Sequence, residues 1–197
     1  LTSAIISDGV KEISDYAFSS ANLTNVNIPE SVTRIGREAF FNNQLTNITI
    51  PGSVKVIGPK AFSRNKLTSI IIPDGVTSIG SSAFLDNELE SVILGNSLTK
   101  ISGGVFRNNQ LTTISLPDSV TKIDYSAFNG NLVTDNGVWR YFIISNTAMV
   151  IGCTETCTTD LIIPENIDGY PVIAIGGNAF KNKNLLSVSI PDSVTHI

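Results

Sequence analysis

Hydrophobic residues recur along this chain with a period of 22 residues. The clearest copy is LTSIIIPDGVTSIGSSAFLDNE, over residues 67–88. Related copies begin at Leu1, Leu23, Leu45, Leu89 and Leu111. Self-similarity at a fixed period in this range is typical of a solenoid, in which each repeat is one turn of a coil and its neighbours supply the rest of the core. We therefore predict a stack of short turns for most of the chain.

The repeat follows the pattern L-x-x-I-x-I-P-x-x-V-x-x-I-G-x-x-A-F-x-x-N-x. Its first six positions alternate with period two and are rich in β-branched residues, so they predict a short strand. Proline lacks the N–H that a ladder requires and should end that strand. These prolines are Pro29, Pro51, Pro73, Pro117, Pro164 and Pro191. The inward Val and Ile that follow predict a second, shorter extended run.

The second half of the repeat carries glycine, phenylalanine and asparagine at fixed places. We expect the glycine to let the chain bend, at Gly36, Gly58, Gly80 and Gly176. A helical turn would aim each phenylalanine at the core, stacked on the next, at Phe18, Phe40, Phe62, Phe84, Phe106, Phe128 and Phe180. Asparagine tolerates the left-handed conformation and bonds local backbone, so it should close each coil, at Asn43, Asn65, Asn87, Asn109 and Asn131.

The period is interrupted once. Residues 1–131 hold six repeats, residues 132–157 do not fit the pattern, and residues 158–197 return to it. Within the interruption, two β-prone runs, Val138–Ser145 and Ala148–Cys153, are separated by Asn146-Thr147, which predicts a β-hairpin. The seventh repeat is five residues longer than the others. We predict one solenoid domain over residues 1–197 with a hairpin insertion.

Two sequence features resemble a known family. The repeat unit and the variant IPENIDGYPVIAIGGNAF at residues 163–180 resemble the BspA-like leucine-rich repeats of bacterial surface proteins, over about residues 1–131 and 158–197. The resemblance implies a right-handed, curved leucine-rich-repeat solenoid. Its parallel β-sheet would lie on the concave face, and short extended or helical turns on the convex side. It also implies a secreted or surface-displayed protein without catalytic residues, often an adhesin that binds host matrix proteins or other cells.

Composition narrows the possible partners. The net charge is −4 and only 15% of residues are charged, without the basic patch that nucleic-acid binding requires. No apolar run is long enough to span a bilayer, and no signal peptide precedes the repeats. The chain starts at Leu1 without methionine and stops at Ile197 within a repeat. We expect it to be part of a longer, exported protein whose signal and anchor lie outside these residues.

The sequence offers little material for catalysis. The single histidine, His196, makes a Ser/His/Asp arrangement very improbable, and most acidic residues occupy turn positions. We expect no cofactor. Cys153 and Cys157 leave three alternatives: a disulfide, free thiols or a metal site. Four residues of straight strand span roughly 13 Å, so a disulfide needs a turn over residues 154–156. A zinc site would lack two of its usual four ligands.

The pleat of the first strand predicts the candidate binding surface. If positions 1, 4 and 6 of a repeat face inward, positions 3 and 5 face outward on the concave side. The candidate residues there are Asn25, Asn27, Asn47, Thr49, Ser69, Ile71, Ser91, Ile93, Thr113 and Ser115. We expect these two rows to be uncharged. A possible second surface is the hairpin, where at least one ring of Trp139, Tyr141 and Phe142 should face outward, although packing of these rings against the repeats is favoured.

Three functional hypotheses follow. The first is a non-catalytic, surface-displayed adhesion module that contacts a protein, such as a host matrix or cell-surface protein, or a glycan. The second is a structural spacer whose faces are merely solvated. The third is an accessory domain of a larger secreted enzyme.

Overall fold

The structure is a computed structural model and describes residues 2–154, 157 and 159–197. The chain is a β-solenoid built from short strands. In chain order these are β1 Ser3–Ile5, β2 Glu12–Ile13, β3 Asn25–Asn27, β4 Arg34–Ile35, β5 Val56–Ile57, β6 Ser69–Ile72, β7 Ser78–Ile79, β8 Ser91–Leu94, β9 Lys100–Ile101, β10 Thr113–Ile114, β11 Lys122–Ile123, β12 Thr134–Asp135, β13 Trp139–Ile144, β14 Thr147–Cys153, β15 Asp160–Ile162, β16 Asn166–Ile167, β17 Tyr170–Ile175 and β18 Ser187–Ser189. Helix in the described ranges is limited to one 3₁₀ turn, Tyr125–Phe128. Nowhere in those ranges does a helix reach the length and apolarity needed to cross a membrane.

The chain divides into two compact units. Unit 1 comprises residues 1–111 and 116–130, and unit 2 comprises residues 112–115 and 131–197. The single domain expected from the sequence stays a prediction.

Unit 1 contains two kinds of parallel sheet, as the repeat predicts. The first strands of the repeats pair β1 with β3 and β6 with β8, and each residue pairs with the residue 22 positions later. The second, shorter strands form the sheet β2-β4-β5-β7 and the pair β9-β11 with the same register. The leucine that opens each complete repeat from Leu23 to Leu111 is buried. The inward and outward parity of the strands is therefore as predicted.

A stack of phenylalanine rings runs through unit 1. Phe18, Phe40, Phe62, Phe84, Phe106 and Phe128 follow one another with centroids 5.3–6.4 Å apart and planes within 16° of parallel. The predicted stacking is confirmed. Each ring covers the face of the next, so the stack excludes water along its length.

The helical turn predicted around these rings is wrong in most repeats. Residues two positions before and after most of these rings have positive φ, for example Glu38 at 52° and Asn42 at 55°, and this interrupts a helix; the exception is Phe128, which lies in the 3₁₀ turn. The N–H groups bond across repeats instead: Phe40 donates to Ala61 and Phe62 donates to Ala83, both at 2.8 Å. The A-F segment is therefore a third ladder between turns.

The asparagines at the end of the repeat bond local backbone, as predicted: Asn65 and Asn87 each donate to the carbonyl three residues earlier. They are not themselves the residues in the left-handed conformation. The residue before each one, such as Asn42 or Asn108, takes the left-handed conformation. The predicted asparagines are buried, and the structure gives bridging bonds between adjacent turns for Asn43, Asn65, Asn87 and Asn109. Because an amide can donate and accept at once, it satisfies backbone groups that a purely accepting side chain would leave unpaired.

The repeated glycine also has a different role. Gly58 has no positive φ, but a Cβ there would lie 2.6 Å from the backbone of both Gly36 and Arg37. Close approach of neighbouring turns, rather than a bend, therefore requires glycine here.

The first strand is missing from the third repeat. Asn47–Ile50 should form it, yet these residues have no regular strand conformation and pair with neither β3 nor β6. The second strands remain continuous at this point, because β5 pairs with both β4 and β7. The irregularity in this repeat is thus confined to the segment that should form the first strand.

Unit 2 is built around the predicted hairpin. Strands β13 and β14 pair antiparallel around a two-residue turn at Ser145-Asn146, with φ values of 43° and 65°, one residue earlier than predicted. They do not project from the coil, because β13 pairs in parallel with β10 and β14 pairs in parallel with β17. Strand β12 pairs antiparallel with β13 and extends this sheet.

A second hairpin accounts for the lengthened seventh repeat. Strands β16 and β17 pair antiparallel around Asp168-Gly169, both with positive φ. Asp-Gly between two β-prone runs is a strong hairpin signal, and it was available in the sequence.

Candidate binding surface

The strand face is defined as the side chains at positions 3 and 5 of each repeat. Within unit 1 they are exposed in every repeat, and each candidate residue faces solvent. The pairing of β6 with β8 places identical residues next to each other: Ser69 lies opposite Ser91, and Ile71 lies opposite Ile93. The members in unit 1 are Ser3, Ile5, Asn25, Asn27, Asn47, Thr49, Ser69, Ile71, Ser91 and Ile93.

Ile71 and Ile93 are the most distinctive part of the strand face in unit 1. Their exposed fractions are 62% and 61%, although both sit in regular strands whose inward residues are buried or, at Val92, half-buried. Asn27 and Thr49 hold the same position in neighbouring repeats. The fold therefore tolerates polar side chains here, and the aliphatic pair is not needed for packing.

Unit 2 has strand-face residues of its own. Thr113 and Ser115 are exposed, and the Thr113 hydroxyl donates to the backbone carbonyl of Ile143 at 3.3 Å. Asp160 and Ile162 in β15 also occupy positions 3 and 5 of a repeat and are exposed, although they were not among the predicted candidates. The expectation of wholly uncharged rows is therefore wrong at Asp160, whose carboxylate accepts a hydrogen bond from Ser187.

The third repeat opens the strand face of unit 1. A cavity of about 260 Å³ lies between the irregular segment Asn47–Ile50 and Ser69–Ile71. Its lining contains one amide, two hydroxyls and the side chains of isoleucines, but no charged side chain. The strand face is continuous on either side of this opening.

The hairpin does not present an aromatic surface. The exposed fractions of Trp139 and Tyr141 are 8% and 2%, and Phe142 is fully buried. Trp139 and Tyr141 belong to a cluster with Val150, Leu161 and other residues of unit 2. The expectation that one ring faces outward is therefore wrong, and the favoured alternative, packing of the rings, is what the structure has. Successive side chains of β13 point to opposite faces of the sheet, and Tyr141 and Phe142 are both buried, so both faces of this strand are covered.

A small polar network anchors that cluster. The Tyr141 hydroxyl donates to Asp168 Oδ2 at 2.7 Å, and Asn136 Nδ2 donates to both carboxylate oxygens at 3.1 Å. These bonds hold the pKa of Asp168 below its usual range. Burial, together with the bond to Asp168, raises the pKa of Tyr141 to about 12. The network ties two hairpins of unit 2 together.

Cys153 and Cys157 form a disulfide in the structure, with Cα atoms 5.9 Å apart. The N–H of Cys157 donates to the carbonyl of Thr154 at 3.4 Å. Residues 155 and 156, where the required turn was expected, lie outside the described residues. The bridge borders a cavity of about 300 Å³ whose rim includes the exposed Ile162.

The described residues contain no group of three or more side chains able to hold a metal ion. His196, the single histidine, has Nδ1 2.9 Å from the hydroxyl of Thr195.

Comparison with known proteins agrees with the repeat pattern. A family model described as a BspA type leucine rich repeat region, present in six copies, matches residues 2–134 and 152–197. No significant match was found among the curated proteins.

Several solved structures are similar to this chain, and two of them carry the comparison. One is a leucine rich cell surface protein from Faecalibacterium prausnitzii, with 23% identity and a TM-score of 0.54, covering 99% of this chain and 71% of that one. The other is the pneumococcal vaccine antigen PcpA, with 20% identity and a TM-score of 0.66, covering 98% of this chain and 61% of that one. This chain therefore spans less than two thirds of PcpA. At these identities the likeness shows the fold, and neither relative is described as an enzyme.

Proposed function

Because the chain belongs to the BspA-type leucine-rich repeat family, we propose that it is a non-catalytic binding module displayed on a bacterial cell surface. It contacts a protein, such as a host matrix or cell-surface protein, or a glycan, through the strand face. Support for the surface location comes from the relative in Faecalibacterium prausnitzii, which is described as a cell surface protein.

The observation that carries this proposal is the exposed pair Ile71 and Ile93. Full burial of an isoleucine is worth roughly 1.5–3 kcal/mol, and about 60% of each side chain is still exposed, so the pair offers a partner up to about 2–4 kcal/mol before the costs of association. Since Asn27 fills the same position in the regular strand β3, the fold does not need an aliphatic side chain there, and the isoleucines are available for binding.

The absence of charge on the strand face of unit 1 predicts how binding responds to salt. In unit 1 neither position 3 nor position 5 carries a charged side chain. Charged residues at the edge of an interface mainly accelerate association and make its rate sensitive to salt. Binding through this face should therefore change little between low and high ionic strength.

A binding screen with matched variants tests the proposal. The purified chain is passed over immobilised matrix proteins and glycans at two salt concentrations, together with an Ile71→Asp/Ile93→Asp variant. Ser78→Asp/Thr99→Asp is the control, because it adds two carboxylates at exposed sites in the same two repeats but outside the strand face. Circular dichroism melting confirms that each variant is folded.

We expect saturable binding that resists salt, is lost in the isoleucine variant and survives in the control. Equal binding by both variants would place the contact elsewhere. No saturable binding across the panel would overturn the proposal and favour a structural spacer.

A further inference from the structure

The opening in the third repeat offers hydrogen-bonding groups that the neighbouring repeats lack. In the flanking repeats, backbone bonds join successive turns next to the strand face: Thr24 N–H donates to Thr2, and Glu90 N–H donates to Thr68, both at 2.9 Å. Across the described residues, no backbone hydrogen bond joins Asn47–Ile50 to either neighbouring repeat. The donors and acceptors of an extended segment point sideways, within the plane of the sheet. Here they are left without the ladder that joins β1 to β3 and β6 to β8.

The opening is local and held by firm surroundings. Just before it, Gln44 N–H donates to Leu23 at 2.8 Å, and Lys66 N–H donates to Leu45 at 2.9 Å. Beyond it, Val56 pairs with the second strands on both sides. The turns are thus stacked normally around a gap confined to the strand face, and the gap is part of the folded unit.

The lining of this cavity defines the chemistry of a ligand. Asn47, Thr49 and Ser69 supply an amide and two hydroxyls, all exposed. Asn47 makes only a long side-chain bond, 3.4 Å from Nδ2 to the Thr46 hydroxyl. Ile71 adds an exposed aliphatic wall, and the lining has no charge. A suitable ligand is neutral, carries short groups that both donate and accept hydrogen bonds, and has an apolar C–H surface.

Size and shape favour a sugar over a peptide. The volume of about 260 Å³ falls just below the roughly 300–1,000 Å³ of pockets for drug-sized ligands, so it suits one ring of a longer chain. A peptide strand would need a free sheet edge, but the segment has a repeat on each side. Hydroxyl groups on a ring can reach down between the turns, where a peptide backbone cannot.

We propose that the cavity between Asn47–Ile50 and Ser69–Ile71 is a subsite for one residue of a neutral glycan. The remainder of the glycan lies along the strand face, towards Ser91 and Ile93. This inference rests on the proposed function and names its ligand class.

A matched pair of serines tests the subsite. Ser69 lines the cavity, whereas Ser78 is an exposed serine of the same repeat that lies outside both the cavity and the strand face. Ser69→Leu fills the opening, and Ser78→Leu adds the same side chain away from the proposed binding surface. Both serines are exposed, so both variants should fold, which thermal melting verifies. The probes are an array of neutral oligosaccharides of glucose, galactose and mannose, sialylated and sulfated oligosaccharides, and a matrix glycoprotein before and after enzymatic deglycosylation.

We expect neutral oligosaccharides to bind, with affinity reduced about tenfold or more by Ser69→Leu and within about threefold of wild type for Ser78→Leu, since one or two lost hydrogen bonds amount to a factor of about ten. Binding to the glycoprotein should fall after deglycosylation. Equal effects of the two substitutions would overturn the subsite. Binding only to the deglycosylated protein would overturn the subsite and leave the proposed function standing. Absence of binding to any probe would overturn both.

Discussion

Replacing Asn87 with alanine should remove a bridge between two adjacent turns of unit 1. The Asn87 side-chain oxygen accepts from the Leu67 N–H at 3.1 Å. Its Nδ2 donates to the carbonyls of Phe62 at 2.9 Å and Phe84 at 3.2 Å. Alanine can make none of these bonds, and water cannot readily replace them because Asn87 is buried.

The magnitude follows from which partners are left unpaired. Leu67 N–H loses its acceptor, and an orphaned buried donor costs about 1–3 kcal/mol. The carbonyls of Phe62 and Phe84 each keep a second donor, from Asn65 at 3.1 Å and Asn109 at 3.0 Å. Each therefore loses only a net contribution of about 0.5–1.5 kcal/mol. The total is about 4 kcal/mol, which corresponds to roughly 8–16 °C in the unfolding midpoint of a chain this long.

Thermal and urea unfolding of Asn87→Ala measure this loss. Asn25→Ala is the control, because it makes the same substitution at an exposed strand-face residue and should change stability by less than about 0.5 kcal/mol. A loss below about 1 kcal/mol for Asn87→Ala would refute the bridging role of the asparagine.

Asn87→Asp separates the two halves of the bridge. A carboxylate still accepts from Leu67, but it cannot donate and would face the carbonyls of Phe62 and Phe84. Burial and these carbonyls disfavour the ionised form, so its folded-state pKa should lie above the unfolded one. Relative to Asn87→Ala, this variant should lose stability as pH rises from 4 towards 7, the opposite of a paired carboxylate. A pH-independent difference between the two variants would contradict the geometry.

The other predictions concern packing and titration. Ser63 Oγ is buried without a partner among the described residues, so Ser63→Ala should be neutral or stabilise by up to about 1 kcal/mol in urea unfolding. Gly58→Ala should destabilise by about 2–3 kcal/mol, because its Cβ would meet the preceding repeat, whereas Gly52→Ala, with open space around it, should not. Because the pKa of Tyr141 is raised in the fold, stability should decline as pH rises from about 10 to about 12, and Tyr141→Phe should flatten that decline. Because the pKa of Asp168 is lowered, its contribution should be present above the usual aspartate pKa of about 4 and disappear as pH falls through the folded value, a loss that Asp168→Asn abolishes in acid unfolding curves.

Much of the candidate surface could be predicted from local pattern. Alternation in the first strand correctly places the side chains of Ser69 and Ile71 outward, because successive residues of any strand point to opposite faces. The same alternation does not show whether a strand pairs with its neighbours. Asn47–Ile50 has the pattern of a strand, yet it forms no ladder, and the resulting cavity could not be inferred from the sequence.

The hairpin shows the same limit. Its strands were predicted from β-prone runs and a turn, but isolated hairpin patterns carry no information about what covers them. Trp139 and Tyr141 are buried in a cluster with Val150 and Leu161, and their strand joins the sheet between β10 and β17. That placement depends on contacts between residues about 30 positions apart.

The sequence by itself determined the solenoid, its period, its two kinds of strand and the ring stack, because each is a local pattern repeated until neighbours must stack. Only the tertiary structure decided which backbone groups pair across turns. It showed that the A-F segment is a ladder, that Asn87 bridges turns and that Gly58 gives room to its neighbour. These roles arise from atoms brought together at a separation of 20–25 residues, where the identity of a residue matters less than what lies beside it.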